Sequence, residues 1–277
     1  MNKVAFITMD VESYYDTIIL QDRRIEVDNQ YNCAKEVKKF LDYLNEENIK
    51  ATFFLNMDFL KECFDTIMEA KETGHDIALH SLVHYDLSKV KDEDLSYMLD
   101  ESKKLLRTHL KIDAKGYRFP CFHYRDEQMD IVKDADFKYD SSAFSFNDKT
   151  FKKINDVVYE KEGFYEFSPQ KGRLFLFNIN VSGSSVLRTY PWGLVKKSLK
   201  RILEQKDAFL FYVHPFELSE DDLPVYKEYL GPIRRLYLTR NRKIFFSRLK
   251  EIVKMIKEAG YTFNSMSQFI DNYERRN

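Results

Sequence analysis

The sequence predicts an α/β fold: a distorted (β/α) barrel of about seven strands, forming a single domain over residues 1–277 with a β-rich insertion around residues 143–192. Three observations lead there. Short β-branched or aromatic runs alternate with amphipathic helical stripes, which is the signature of parallel βαβ units. The helical stretches run about 10 to 17 residues, long enough for a crossover between parallel strands. No internal repeat, Pro/Ser-rich linker or low-complexity tract divides the chain.

The strand-like runs, in order, are "VAFITM" (4–9), "ATFFL" (51–55), "DIALH" (76–80), "GYRF" (116–119), "FKYDSS" (137–142), "RLFLFNINV" (173–181) and "AFLFYVH" (208–214). Their near-continuous apolar character suits strands buried on both faces. Between them lie helical stripes: Val37, Phe40, Leu41 and Leu44; Leu60, Cys63, Phe64, Ile67 and Met68; Leu95, Leu99, Ser102, Leu105 and Leu106. Gly74 stands where a helix C-terminal cap is expected. Residues 143–192 break the rhythm with short strands and loops, hence the expected insertion.

Lys plus Arg (44) and Asp plus Glu (45) nearly cancel, leaving a formal charge of −1 and no electrostatic case for nucleic acid as a partner. The start, "MNKVAFITMD", lacks the apolar core and cleavage site of a secretory signal, which predicts a cytoplasmic protein. No apolar run approaches the roughly 18 residues of a membrane span, so no stable membrane insertion is expected. Cysteines 33, 63 and 121 form neither a disulfide framework nor a thiolate cluster and read as buried, reduced thiols.

In a parallel barrel the βα loops converge on the C-terminal face of the strands. Asp10 and Glu12 close the first strand, His80 closes "DIALH", Arg118 ends "GYRF", Asp140 lies in "FKYDSS", and His214 closes "AFLFYVH". Five strands therefore deliver acids, imidazoles or a guanidinium to one rim. His80 and His84 are four residues apart, and one turn of helix or a tight loop puts both rings on one side. Two histidines with one acid make a three-ligand site with an open position, suited to catalytic Zn²⁺ and equally to Fe²⁺. Asp10 and Glu12, at i and i+2, share a strand face roughly 7 Å apart, so one can bind a cation while the other stays free as a base. A divalent ion relieves the repulsion between them.

The ordered motifs "TMDVE", "HSLVH", "YRFP", "YDSS" and "FYVHP" resemble those of the polysaccharide deacetylase (NodB homology) superfamily, carbohydrate esterase family 4, in its branch with an Asp-Val-Glu first motif. "KATFFL" and "FYVHPFEL" through "GPIRRLYLTRNRK" carry the same resemblance. It implies a metal-dependent hydrolase, zinc being the usual ion, that removes an N-acyl group, normally acetyl, from an amino sugar. By this resemblance Asp10 is the catalytic base, His80 and His84 bind the metal, Arg118 orients the base, His214 is the general acid and Asp140 holds that histidine. Val11 stands where the commoner motif has its metal-binding aspartate, and same-face geometry favours Glu12 as the replacement.

Pro120 of "YRFP" and the aromatic pair Tyr190 and Trp192 of "RTYPW" are the expected substrate contacts. "RRLYLTRNRK" offers cations for a phosphate of a nucleotide- or lipid-linked sugar, the substrate class expected without an export signal. Two rivals remain: a catalytically silent glycan-binding relative, for which Val11 is the best support, and a two-histidine, one-carboxylate Fe²⁺ oxygenase, which the helical stripes argue against.

Overall fold

A computed structural model describes residues 3–21, 28–144, 146–174 and 177–276. Its main sheet begins with β1 (Val4–Val11), followed by the short α1 (Ile18–Gln21) and by α2 (Ala34–Glu46), which leads into β2 (Thr52–Asn56). The βα rhythm continues with α3 (Leu60–Glu72), β3 (Asp76–Ser81), α4 (Asp92–Leu110), β4 (Gly116–Tyr117), α5 (Gln128–Asp134) and β5 (Tyr139–Asp140). Next come β6 (Lys152–Lys153), β7 (Val158–Lys161), β8 (Phe164–Phe167), β9 (Lys171–Leu174) and β10 (Phe177–Asn180). The chain closes with α6 (Ser184–Thr189), α7 (Trp192–Gln205), β11 (Ala208–Val213), α8 (Pro232–Thr239), α9 (Arg242–Glu258), β12 (Thr262–Phe263) and α10 (Met266–Glu274).

Strand order β11-β1-β2-β3-β4-β5-β8 is parallel throughout, and β7 and β6 extend it antiparallel, giving one curled half-barrel in a single domain. Seven parallel strands make up that run, with the two-residue β12 also parallel to the foot of β1, but the seven are not all the expected ones. The sixth expected strand, residues 173–181, is instead β9 and β10, an antiparallel pair in a separate two-stranded sheet; residues 175 and 176 of that run lie outside the described residues. The place in the barrel is taken by β8, "FYEF", from within the expected insertion.

Period-two alternation decides which side chains enter the barrel. On β1, Ala5, Ile7, Met9 and Val11 pack outward against the helices in the large core, with Phe53 and Leu55 of β2 and Phe209, Phe211 and Val213 of β11. Val4 and Phe6, with Phe54, Ala78, Leu210 and Tyr212, fill the barrel interior. The inward column of β1 thus runs from apolar at the bottom to polar at the top: Val4, Phe6, Thr8, Asp10. The helix stripes read from sequence are largely the faces that cover the outer core, with Val37, Phe40, Leu41, Leu95, Leu99 and Leu106 at or near zero exposure, but Phe64 of the second stripe is 38% exposed.

Candidate active site

The same alternation that points Phe6 inward carries Asp10 and then Glu12 to the barrel mouth. Both are buried, at 1% and 4% exposure. Their partners differ. Arg118 follows β4 directly, is fully buried, and donates from one terminal nitrogen to Asp10 Oδ1 at 2.6 Å and to Thr8 Oγ1 at 2.9 Å. Its Nε reaches the Ser141 carbonyl at 3.0 Å and its other terminal nitrogen the Ser141 hydroxyl at 2.7 Å, while the guanidinium lies 3.9 Å from the centre of the Phe54 ring. A guanidinium held on every side is a fixed positive charge beside Asp10.

Glu12 faces imidazoles: its Oε2 lies 2.8 Å from His84 Nε2 and 3.4 Å from His80 Nε2. One ligand atom from each of Glu12, His80 and His84 falls within 4.8 Å of the others. Burial pushes Glu12 toward protonation, but the His84 charge and hydrogen bonds from both histidines hold it well below the usual carboxylate range. Burial opposes the charge on His84 as well, and Glu12 overcomes it, raising that imidazole above its ordinary value. His80 Nδ1 lies 2.9 Å from the Arg118 carbonyl, which can only accept, so Nδ1 carries a proton and Nε2 is the ring atom turned toward Glu12. Two imidazoles and a carboxylate, buried and converging, fit a divalent cation in place of the protons they share here.

His214 ends β11, beside β1, and its Nε2 lies 3.7 Å from Asp10 Oδ2. The expected support from Asp140 is not what the chain uses. Glu217 Oε2 accepts from His214 Nδ1 at 2.9 Å and from its backbone N–H at 3.2 Å, the reciprocal capping box of the single 3₁₀ turn Pro215–Leu218. Glu217 in turn accepts from Ser184 Oγ and from Arg188 Nε, the latter at 3.3 Å in a pair with no solvent exposure. Burial lowers the His214 pKa, yet the Glu217 hydrogen bond and the neighbouring carboxylates outweigh it and lift the ring to about 9. Asp140 misses the site because of strand parity. Tyr139 takes the inward position on β5, so Asp140 points outward, opposite Glu166 of β8, and accepts from Ser142 N and Oγ at 2.7 and 3.0 Å.

A cavity of about 190 Å³ opens over these groups, lined by Asp10, Glu12, His80, His84 and His214 together with Thr17, Cys121, Phe122, His123, Ser185, Tyr212, Phe216 and Tyr237. Three expected substrate contacts are not among the lining residues. Pro120 is buried at the start of a 3₁₀ turn, and it is the next two residues, Cys121 and Phe122 at φ 56° and 58°, that bend over the cavity in a left-handed conformation. Tyr190 and Trp192 lie where α6 meets α7, with Trp192 Nε1 donating to Glu251 of α9 at 2.8 Å and Arg248 at 5.1 Å from its ring. Trp192 thus packs α7 against α9, while Tyr190 is 40% exposed. Aromatic character is supplied instead by Phe122 and Tyr212, whose rings stand 4.8 Å apart. His75 is also structural, accepting from Ala51 N and pairing with Asn45. Glu217 was legible in principle: histidine, proline and then an acid three residues on is capping-box spacing.

Comparison with known proteins places this geometry. Residues 25–139 match the family model described as polysaccharide deacetylase, and residues 141–271 match one described as a domain of unknown function, DUF3473. The Bacillus subtilis (strain 168) protein YlxY is 27% identical over 96 residues, which is 35% of this chain and 30% of that protein's length. Among solved structures, a Mycobacterium smegmatis protein assigned to the polysaccharide deacetylases superposes with a TM-score of 0.68 at 14% identity, over 100% of this chain and 92% of the other. A pseudoenzyme of carbohydrate esterase family 4 from Bacillus anthracis gives 0.55 at 11% identity, over 97% and 66% of the two chains. A chitin deacetylase from the fungus Colletotrichum lindemuthianum gives 0.54 at 13%, over 96% and 86%. At these identities the structural likeness is one of fold. The family model reaches residues 25–139 only, and over the whole chain it is the fold that these structures share.

Proposed function

We propose that the protein is a metal-dependent amidohydrolase that removes an N-acyl group, acetyl being the simplest, from an amino sugar of a saccharide or of a nucleotide- or lipid-linked glycan precursor. The observation that carries this reading is the division of labour between Asp10 and Glu12: one carboxylate is clamped by an arginine and faces an imidazole acid, the other faces two imidazoles.

Glu12, His80 and His84 are the residues that would hold the ion, and a divalent cation there supplies a Lewis acid and an acidified water. The chain's own groups do the rest. Asp10, kept in place by Arg118, is positioned as the base that takes a proton from the attacking water. His214, protonated at neutral pH because Glu217 stabilises the imidazolium, is positioned to give a proton to the departing amine, a group that cannot leave as an anion. Phe122 and Tyr212 wall the cavity against water. Its size, below the roughly 300–1,000 Å³ of most small-ligand pockets, suits an acyl group and part of one ring with the rest of the glycan outside.

The test is acetate release from N-acetylglucosamine oligomers and from nucleotide- and lipid-linked N-acetylhexosamines, with protein stripped of metal and then reloaded with Zn²⁺, Co²⁺ or Ni²⁺. Turnover restored by metal and absent in Asp10→Asn supports the reading. Metal uptake without release from any substrate favours a second reading, a glycan-binding protein without turnover. The observations behind that alternative are Val11 between the two acids and the fold shared with a pseudoenzyme.

A further inference from the structure

We infer that the outward face of α8 is a docking surface for an anionic lipid bilayer. This helix is amphipathic in the reverse of the usual sense. Leu238 is buried in the satellite core with Tyr14, Phe216 and Leu230, while Ile233 and Leu236, three residues apart and so on one face, are 84% and 49% exposed. Tyr229, one turn earlier in the chain, is 53% exposed, and Ile244, at the start of α9, is 50% exposed. Large aliphatic side chains clustered in water at this density mark a contact surface.

Charge selects the partner. Between residues 225 and 244 the exposed or half-exposed cations are Lys227, Arg234, Arg235, Arg240 and Lys243, against one acid, Glu228. Lys243 is paired with Asp222, but Arg234, Arg235 and Arg240 have no carboxylate partner among the described residues. Aliphatic side chains ringed by arginines suit the boundary between anionic headgroups and acyl chains. A second copy of this chain suits it poorly, because a two-fold contact would set Arg234 and Arg235 against their own counterparts.

The surface is also fixed relative to the catalytic cavity. Arg188 donates to the carbonyls of Tyr237 at 2.6 Å and Arg240 at 2.7 Å, and pairs with Glu217, which holds His214. Tyr237, on the same helix, lines the cavity. A bilayer against α8 therefore lies beside the cavity mouth. No helix among the described residues is long and apolar enough to cross a membrane, so the contact is peripheral.

The experiment is co-sedimentation of the whole chain with vesicles of phosphatidylglycerol and phosphatidylethanolamine, against vesicles of phosphatidylcholine alone. Wild type should sediment with the anionic vesicles only, and less so as salt rises. Arg234→Glu with Arg235→Glu should lower partitioning by roughly 30-fold or more, since each cation near the surface contributes about a factor of five. Ile233→Asp with Leu236→Asp should abolish it. Both variants should keep the wild-type thermal midpoint. Equal sedimentation of wild type and variants, or none for wild type, overturns the inference. So does a solution dimer that Ile233→Asp with Leu236→Asp dissolves, which would make the face a contact between copies. Docking without hydrolysis would count against the proposed chemistry alone.

Discussion

Asp10 with Glu12 and Asp140 with Glu166 are both pairs of carboxylates at 4% exposure or less, yet the two pairs have opposite chemistry. The first points into the barrel mouth and meets Arg118, His80, His84 and His214, so its charge is compensated. The second points outward beneath the helices, where Tyr117 and Tyr124 are the neighbours. There burial lifts Asp140 to about 7 in spite of its Ser142 hydrogen bonds, and lifts Glu166 well above the usual range. One residue of strand parity separates a site poised for ionic chemistry from a pair that keeps a proton.

The sharpest way to break the comparison is at the inner pair. Asp10→Asn should keep metal binding but lower kcat/KM by about 10²- to 10⁴-fold, the span of general acid–base help. Glu12→Gln should lose metal affinity first. Calorimetric metal titration beside steady-state kinetics separates the two, and the opposite pattern would exchange their roles.

A smaller effect is expected one layer back. Glu217→Gln keeps a hydrogen-bonding side chain at His214 but removes the charge that raises it. His214 at about 9 is protonated at neutral pH, so amide turnover should fall only as pH rises through about 9 in wild type. In Glu217→Gln that fall should move to lower pH, with roughly a 10²-fold loss at pH 8. An activated aryl ester, whose leaving group needs little protonation, should lose less in both Glu217→Gln and His214→Ala. Equal losses on amide and ester would remove His214 from the role of acid.

The smallest catalytic effect belongs to the outer pair. Asp140→Asn should leave turnover nearly unchanged but alter how stability depends on pH. Both folded values lie above the unfolded one, so the folded state binds the extra proton. That contribution is complete below the ordinary carboxylate value of about 4 and is lost as pH rises through about 7. Thermal midpoints at pH 5 and pH 8 should differ more for wild type than for Asp140→Asn. A loss of activity matching that of Glu217→Gln would return Asp140 to the site.

The parity that misplaced Asp140 is also why the rest could be read. β1 is eight residues long, and its alternation fixes Asp10 and Glu12 on one face whatever the loops do. β5 has only two residues, and although Phe137 and Tyr139 alternate with Lys138 and Asp140, Phe137 lies in the outer core and Tyr139 in the barrel interior, so the alternation does not carry one face through the run. The run 173–181 carries no Gly or Pro between Leu174 and Phe177, leaving no mark of the boundary between β9 and β10. β8, four residues with a charged one inside, gave too weak a signal to displace it. Glu217 was masked by a different bias, the expectation that a supporting acid comes from another strand when a capping box supplies it three residues away.

The pairing of β11 with β1 sets a timetable as well as a shape. Met9 lies in register with Val213, so Asp10 meets His214 only across about two hundred residues of chain. At roughly 5–20 residues per second of synthesis, Glu12, His80 and His84 and the Asp10–Arg118 pair emerge well before His214 does, leaving an interval of about 5 to 20 s after Arg118 alone. On the proposed reading, a chain in that interval would carry the three residues for a cation but not the group that protonates a leaving amine. On that reading, the proton donor is the last part of the site this topology assembles.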